Sequence, residues 1–224
     1  MKPIFKAIVL FLLPFAAAIA QNSQPLNSAD TAALRQKYPD EYAAYLERSE
    51  HLRIDYHNQT WDISKDITEE LVCLTSLGQA YAGRNLFYSG FESISDINAQ
   101  TFVPVKKGNK VKYETHIVEN IADNNVLVGS IFYSDYKEKK FVFPALNPGA
   151  IAQLRYRENT HEPHLLTPFF FGSNAPTLRA EFSVSVPNHI QISYKLLGEK
   201  ADSIVSFSQR EDGGMTTYTW VATN

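Results

Sequence analysis

Cys73 is the only thiol in this chain of 224 residues, and a cysteine becomes a nucleophile only where a base or a positive field holds it as thiolate. A papain-like or transglutaminase-like mechanism would need a histidine brought beside it by the fold. Its sequence neighbours, Val72 and Leu74, are apolar, which points to a structural thiol, since free cysteine is among the most buried residue types. The run His161-Glu162-Pro163-His164 offers two imidazoles and a carboxylate within four positions, a donor set that can bind zinc. Pro163 interrupts any regular helix face there, and no HExxH or paired CxxC completes a site, so a polar loop accounts for it. Glycine-rich phosphate loops and a Ser-His-Asp signature are also absent from the sequence. The expectation is a chain with no catalytic residue, no metal ligand set and no cofactor site.

Aromatic side chains are the remaining candidates for chemistry. Phe169-Phe170-Phe171, Trp61, Trp220 and twelve tyrosines could form a platform for sugar rings or a surface for a partner protein. Aromatics also dominate cores, where each Phe contributes about 1.5 to 3 kcal/mol on burial. Consecutive residues of a strand point to opposite faces, so only part of the phenylalanine triplet can share one surface. Lys137-Glu138-Lys139-Lys140 reads as a charge run that keeps a loop or strand edge solvated.

The elements that must position these residues are clearest between Ile131 and Pro187. Phe141 and Phe143 alternate with Lys140 and Val142 up to Pro144, which cannot donate to a ladder and ends the strand. Asn147-Pro148-Gly149 is then a turn: Pro148 presets one φ, and Gly149 accepts the positive φ that a type II turn needs next. A strand follows, with Ile151, Gln153, Arg155 and Arg157 on one face and the apolar Ala152, Leu154 and Tyr156 on the other. Thr177 to Val186 alternates more cleanly than any other segment. Ile190, Ile192, Tyr194 and Leu196 suggest a further strand ended by Gly198. Ile204 to Ser208 and Thr216 to Ala222 flank Glu211-Asp212-Gly213-Gly214, where Asp-Gly predicts a tight hairpin.

Earlier in the chain, Ser28 can cap a short helix over Ala29 to Lys37, with Asp30 in its first turn and Arg35 and Lys37 in its last. Glu41 to Glu50 has helical composition, yet Tyr42, Ala44, Leu46, Leu52, Ile54 and Tyr56 keep one parity, which favours a strand. His51 to His57 and Trp61 to Asp66 read as a hairpin across Asn58-Gln59-Thr60. Thr68 to Tyr81 reads as a strand running into a helical turn before Gly83. Lys107-Gly108-Asn109-Lys110 joins strand character around Ala99 to Val103 to Val111 to Val118, and Asp123-Asn124-Asn125 reads as a break. Short strands separated by turns, without long helices, give an all-β fold class. The expected architecture is an antiparallel β-sandwich, immunoglobulin-like arrangements included, with a short N-terminal helix.

The run FYSDYKEKKFVFPALNPGAIAQLRYR, then LLTPFFF, then LRAEFSVSVP resembles a domain of unknown function found in exported bacterial proteins, usually just before a transglutaminase-like core. The similarity runs from about Tyr38 to the last residue. Asp135, the FVFPALNPG turn and the SVSVP strand end carry its most specific part. The resemblance implies an accessory role without catalysis, beside a transglutaminase-like domain or another envelope protein. The catalytic core itself lies outside this sequence, so the chain reads as the N-terminal module of such a protein, truncated or split before that core. The alternative is an independent glycan- or peptide-binding module of the cell envelope, and an enzyme using Cys73 or the His161 and His164 pair is a third reading.

Residues 1–20 read as a signal peptide: Lys2 and Lys6, an apolar run from Ala7, and Ala18-Ile19-Ala20 before a cut between Ala20 and Gln21. Residues 21–40 then form a leader with the short helix, and residues 41–224 the β-domain. Cleavage leaves 19 basic against 24 acidic side chains, which argues against nucleic acid as a partner. The apolar run is short for a membrane span and interrupted by Pro14, so no stable membrane anchor is expected after cleavage. The expected location is the periplasm or the extracellular space. One cysteine gives no internal disulfide, so stability must come from the core.

Overall fold

The computed structural model describes residues 24–25, 29–108, 110–126 and 135–224. The signal peptide, its cleavage between Ala20 and Gln21, Ser28, Asn109 and the start of the central stretch at Ile131 lie outside the described residues. Helix α1 spans Thr31–Lys37 and is capped by Asp30, so it starts two residues later than composition suggests. Asp30 Oδ1 accepts from the N–H groups of Ala32 and Ala33 at 3.1 Å each, satisfying donors that have no partner inside a helix.

The helical composition of Glu41 to Glu50 yields to strand pairing: β1 spans Ala43–His57 and pairs antiparallel with β2, Thr60–Cys73, along nearly its whole length. Their hairpin turns on Asn58 and Gln59, with φ of 52° and 63°, the geometry whose twist matches that of the flanking strands. A short 3-10 helix, Ser76–Ala82, follows β2, as the sequence suggests. The other strands are β3 (Gly83–Tyr88), β4 (Glu92–Lys107), β5 (Lys110–Ile117), β6 (Ala122–Asn125), β7 (Lys137–Val142), β8 (Ile151–Thr160), β9 (Arg179–Pro187), β10 (Val205–Asp212) and β11 (Met215–Thr223).

Among the described residues, these strands form an eight-stranded sheet, in the order β10-β11-β9-β1-β2-β8-β4-β5, and a three-stranded sheet, β3-β7-β6. The two fit a β-sandwich with a short N-terminal helix. One pairing departs from the antiparallel expectation: β1 and β9 are parallel, so the large sheet is mixed. More than a hundred residues separate these strands, and no turn signal records such a pairing.

One face of the large sheet carries Tyr45, Leu71, Ala99, Ala152 and Leu154, which pack with Leu86 and Phe141 of the small sheet into the central core. Further along that face Leu52, Ile63, Val184, Val186 and Trp220 form a second cluster. The opposite face buries Ala44, Leu46, Val72, Phe102 and Ile151 against Leu34 of α1. The constant parity read for β1 fails at a bulge between Tyr45 and Glu47: the extra residue moves the apolar side chains from one face to the other. Thus Leu46 belongs under α1, whereas Leu52 lies with Trp220. Strand β8 likewise buries both faces at its start: Ile151 and Gln153 point to the α1 side of the sheet, and Ala152 and Leu154 to the central core.

Asn147-Pro148-Gly149 forms the expected turn, with Gly149 at φ +89° and the Ala150 N–H donating to the Asn147 carbonyl at 2.8 Å. It carries the chain from the small sheet (β7) to the large one (β8) instead of closing a hairpin. The β10–β11 turn rests on Gly213 and Gly214, at φ +55° and +81°, with Asp212 paired to Met215. Asp212 therefore ends the strand and the two glycines make the turn. Three other expectations fail. Asp123-Asn124-Asn125 is strand and not a break, because it pairs with β7 and Asp123 holds Lys139 at 2.7 Å. Ile190 to Leu196 forms no strand: Ile190, Ile192 and Leu196 alternate because they pack onto the Trp220 cluster. The Lys137 to Lys140 run is the middle strand of the small sheet, not a loop or edge.

Candidate functional site

Cys73 is fully buried. Its thiol donates to the Thr75 carbonyl at 3.1 Å, and burial pushes its pKa up, against the smaller effect of that backbone bond. Such a group is a poor nucleophile. His161 meets the Trp61 carbonyl through Nδ1 at 2.8 Å, and His164 lies in a one-turn 3-10 helix, Pro163–Leu165. Among the described residues, no group of three or more His, Cys, Asp or Glu side chains could hold a metal ion. Trp61 meets Tyr56 at 4.6 Å, with the rings tilted, at the tip of the first hairpin, and packs against the outer side of the Leu52 to Trp220 cluster without lining the pocket described next.

Register brings the remaining aromatics together. Phe182 of β9, Trp220 of β11 and Phe207 of β10 are cross-strand partners in succession, so their rings lie side by side on one face of the sheet. Phe169 stacks on Phe182 at 5.3 Å, Phe182 on Trp220 at 5.8 Å, Trp220 meets Tyr194 edge-on at 4.7 Å, and Tyr194 stacks on Phe207 at 5.3 Å. Of the phenylalanine triplet, Phe169 and Phe171 pair edge-on at 4.9 Å while Phe170 is exposed. Only two of the three share a surface, although the segment is coil and not strand.

One cation fixes this segment. The Arg48 guanidinium donates to the carbonyls of Phe170 and Gly172 at 3.1 and 3.3 Å, and it lies over the rings of Tyr45 and Phe169. Glu69 faces it at 3.9 Å and also binds Arg84. Burial, with Glu69 adding to it, raises the Tyr45 phenol. Arg48 thus ties an irregular loop to β1, a role that no local pattern in the sequence announces.

Between the Phe169–Gly172 loop, the Tyr194–Gly198 segment and β11 lies a pocket of about 540 Å³, with Phe169, Phe182, Leu196, Ile204, Val205 and Trp220 in its walls. Its size is in the range of small-molecule and side-chain sites, which are mostly apolar with few polar groups. Trp220 is 3% exposed, and its indole N–H has no acceptor among the described residues. A smaller pocket of about 280 Å³ sets Lys65, Glu92 and Glu158 beside Leu52, Ile63 and Leu166. There Lys65 is engaged by Glu158 at 2.6 Å and Glu50 at 3.8 Å, so its charge is already met. The apolar pocket is the stronger candidate for a ligand.

The model of a family described as a domain of unknown function with solved structure, DUF3857, matches residues 68–224. That begins later than the resemblance near Tyr38. No curated protein matches in sequence. A crystal structure of a candidate protease from Parabacteroides distasonis superposes with a TM-score of 0.60 at 16% identity, covering 82% of this chain and 35% of that one. This chain therefore spans about a third of that protein's length, and the likeness concerns the fold. An M1 zinc metallopeptidase from Deinococcus radiodurans superposes at 0.34 with 13% identity over 81% of this chain and 39% of its own. Native leukotriene A4 hydrolase from Saccharomyces cerevisiae superposes at 0.34 with 11% identity over 83% and 29%. Neither of the last two supports a conclusion about this chain.

Proposed function

The chain belongs to the DUF3857 family, and from that premise we propose that it is a non-catalytic, exported accessory domain that takes an apolar segment of a partner protein into the Trp220 pocket. The pocket's composition carries this reading. Its walls are mostly aromatic and aliphatic, with Lys195 and Glu199 also in the lining, and an apolar side chain entering it is removed from water at roughly 25 cal/mol per Å² of its surface. Trp220 supplies part of the pocket wall, so its indole ring senses a segment that enters. The partner in this reading is a transglutaminase-like domain or another envelope protein, as the family resemblance implies. That a similar fold accounts for about a third of a longer protein fits a module working beside other domains, by analogy at the level of fold alone.

The competing reading is a glycan-binding module, favoured by the exposed rings of Tyr194 and Phe207. Calorimetric titration separates the two. A blocked pentapeptide with leucine and phenylalanine at alternate positions between serines should bind saturably, and Ala201→Trp, which fills the pocket, should abolish the heat. Binding of chitotetraose or cellotetraose with no response to the peptide would replace the accessory reading with the glycan one.

A further inference from the structure

The large sheet has two edges, and they differ. The β5 edge carries Lys110, Lys112, Glu114 and His116 at alternate positions, the usual protection against pairing with another chain. At the other edge, β10 runs uncharged from Val205 to Gln209 before Arg210, Glu211 and Asp212. Among the described residues no strand pairs with its outer side, which therefore presents unpaired backbone groups. Phe207 is 45% exposed and the Tyr194 ring stacked on it is 52% exposed, so an apolar surface adjoins the open ladder. Ser206 and Ser208 face the opposite side of the sheet, since Phe207 is the residue in register with Trp220.

We infer that a second copy of the chain pairs antiparallel with this edge, with Phe207 on the twofold axis. This register matches the uncharged five residues with themselves: Phe207 opposite Phe207, Ser206 opposite Ser208, and Val205 opposite Gln209 of the second copy. The charged residues from Arg210 to Asp212 flank the ladder and stay out of it. Sliding the pairing three residues toward the C-terminus would set Arg210 against Arg210, which like-charge repulsion opposes. The contact is isologous and closes at two copies, and the charged β5 edge stops further growth of the sheet. This pairing uses the backbone edge; Val205 and Tyr194 also line the pocket, so the test is run with no pocket ligand added.

Sedimentation velocity on the purified chain, without added peptide, tests the inference. A dimer is expected at about 100 µM, weakened at least tenfold in Ser206→Lys/Ser208→Lys, which places lysines opposite one another on the polar side of the pair. Both serines are exposed, and an unchanged circular dichroism spectrum shows that the variant folds. A mixture of Ser206→Cys and Ser208→Cys chains should form a disulfide between the two variants faster than either does with itself. A monomer at all concentrations, a dimer indifferent to the lysines, or a dimer without preferential cross-linking would each overturn the inference. Ala201→Trp should leave the dimer unchanged, which separates this result from failure of the pocket reading.

Discussion

Replacing Gly149 by valine tests the turn that carries the chain from the small sheet to the large one. Gly149 has φ +89°, where a Cβ costs roughly 1 to 2 kcal/mol and a β-branched side chain costs more. A Cβ there would meet Pro104 Cγ at 3.3 Å, a tight contact that adds little because a proline ring edge can shift by a few tenths of an ångström. The two bonds that hold the turn, Gly149 N–H to the Cys73 carbonyl and Ala150 N–H to the Asn147 carbonyl, both at 2.8 Å, survive the change. Backbone strain therefore dominates, and the expected loss is about 2 to 3 kcal/mol, a factor of roughly 30 to 150 in the folding equilibrium. With a urea dependence of about 2 to 3 kcal/mol/M, the midpoint should fall by about 1 M. Pro148→Ala should cost under about 1 kcal/mol, since it mainly frees the unfolded chain. Urea denaturation followed by fluorescence and circular dichroism decides the matter if the two probes coincide. A Gly149→Val midpoint equal to the parent's, or Pro148→Ala as the worse variant, would refute the reasoning.

Cys73 should label slowly with a maleimide at neutral pH and rapidly only in denaturant, and Cys73→Ala should cost about 1 kcal/mol or less; rapid native labelling would restore the nucleophile reading. Gln153→Leu should destabilise by about 1 to 3 kcal/mol by thermal or urea unfolding, because Gln153 joins Glu70 at 2.7 Å to Gln100 at 3.0 Å in a fully buried row, and its loss removes the acceptor of the buried Gln100 amide and one donor to Glu70. Lys65→Met should destabilise more at pH 8 than at pH 5. Burial already raises the Glu50 pKa, against the pull of Lys65, and without that cation it rises further. A carboxyl with a raised folded pKa binds more protons when folded, so the cost is full above that pKa and is relieved as pH falls through it. Equal losses at both pH values would contradict this.

What the sequence made legible was local. The Asn58-Gln59 and Gly213-Gly214 hairpins, the Gly149 turn and the period of β9 depend on residues within a few positions of one another, where backbone sterics act directly. The failures share the opposite origin. Asp123 to Asn125 became strand through pairing with β7, and Ile190 to Leu196 alternates because it packs on Trp220 without joining a ladder. The bulge at Tyr45 to Glu47 changed which face each later residue of β1 presents, and the parallel β1–β9 pair joined segments far apart in sequence. The candidate site was half visible: Phe169, Phe171 and Trp220 stood out as aromatic, while Phe182 looked like one more inward residue of an alternating strand. Arg48, which holds the loop, belonged to a segment read only for its backbone. No composition signal could have paired it with the carbonyls of Phe170 and Gly172.

The pocket reading stands or falls on Trp220. Its indole N–H and that of Trp61 give two side-chain cross-peaks in a proton–nitrogen correlation spectrum of the labelled protein, assigned by Trp61→Phe. Titration with the alternating leucine–phenylalanine pentapeptide should move the Trp220 peak in a saturable manner and leave Trp61 in place, with the shift lost in Ala201→Trp. A Trp220 resonance that stays fixed while the peptide binds elsewhere, or that moves equally in the pocket-filled variant, would contradict the account.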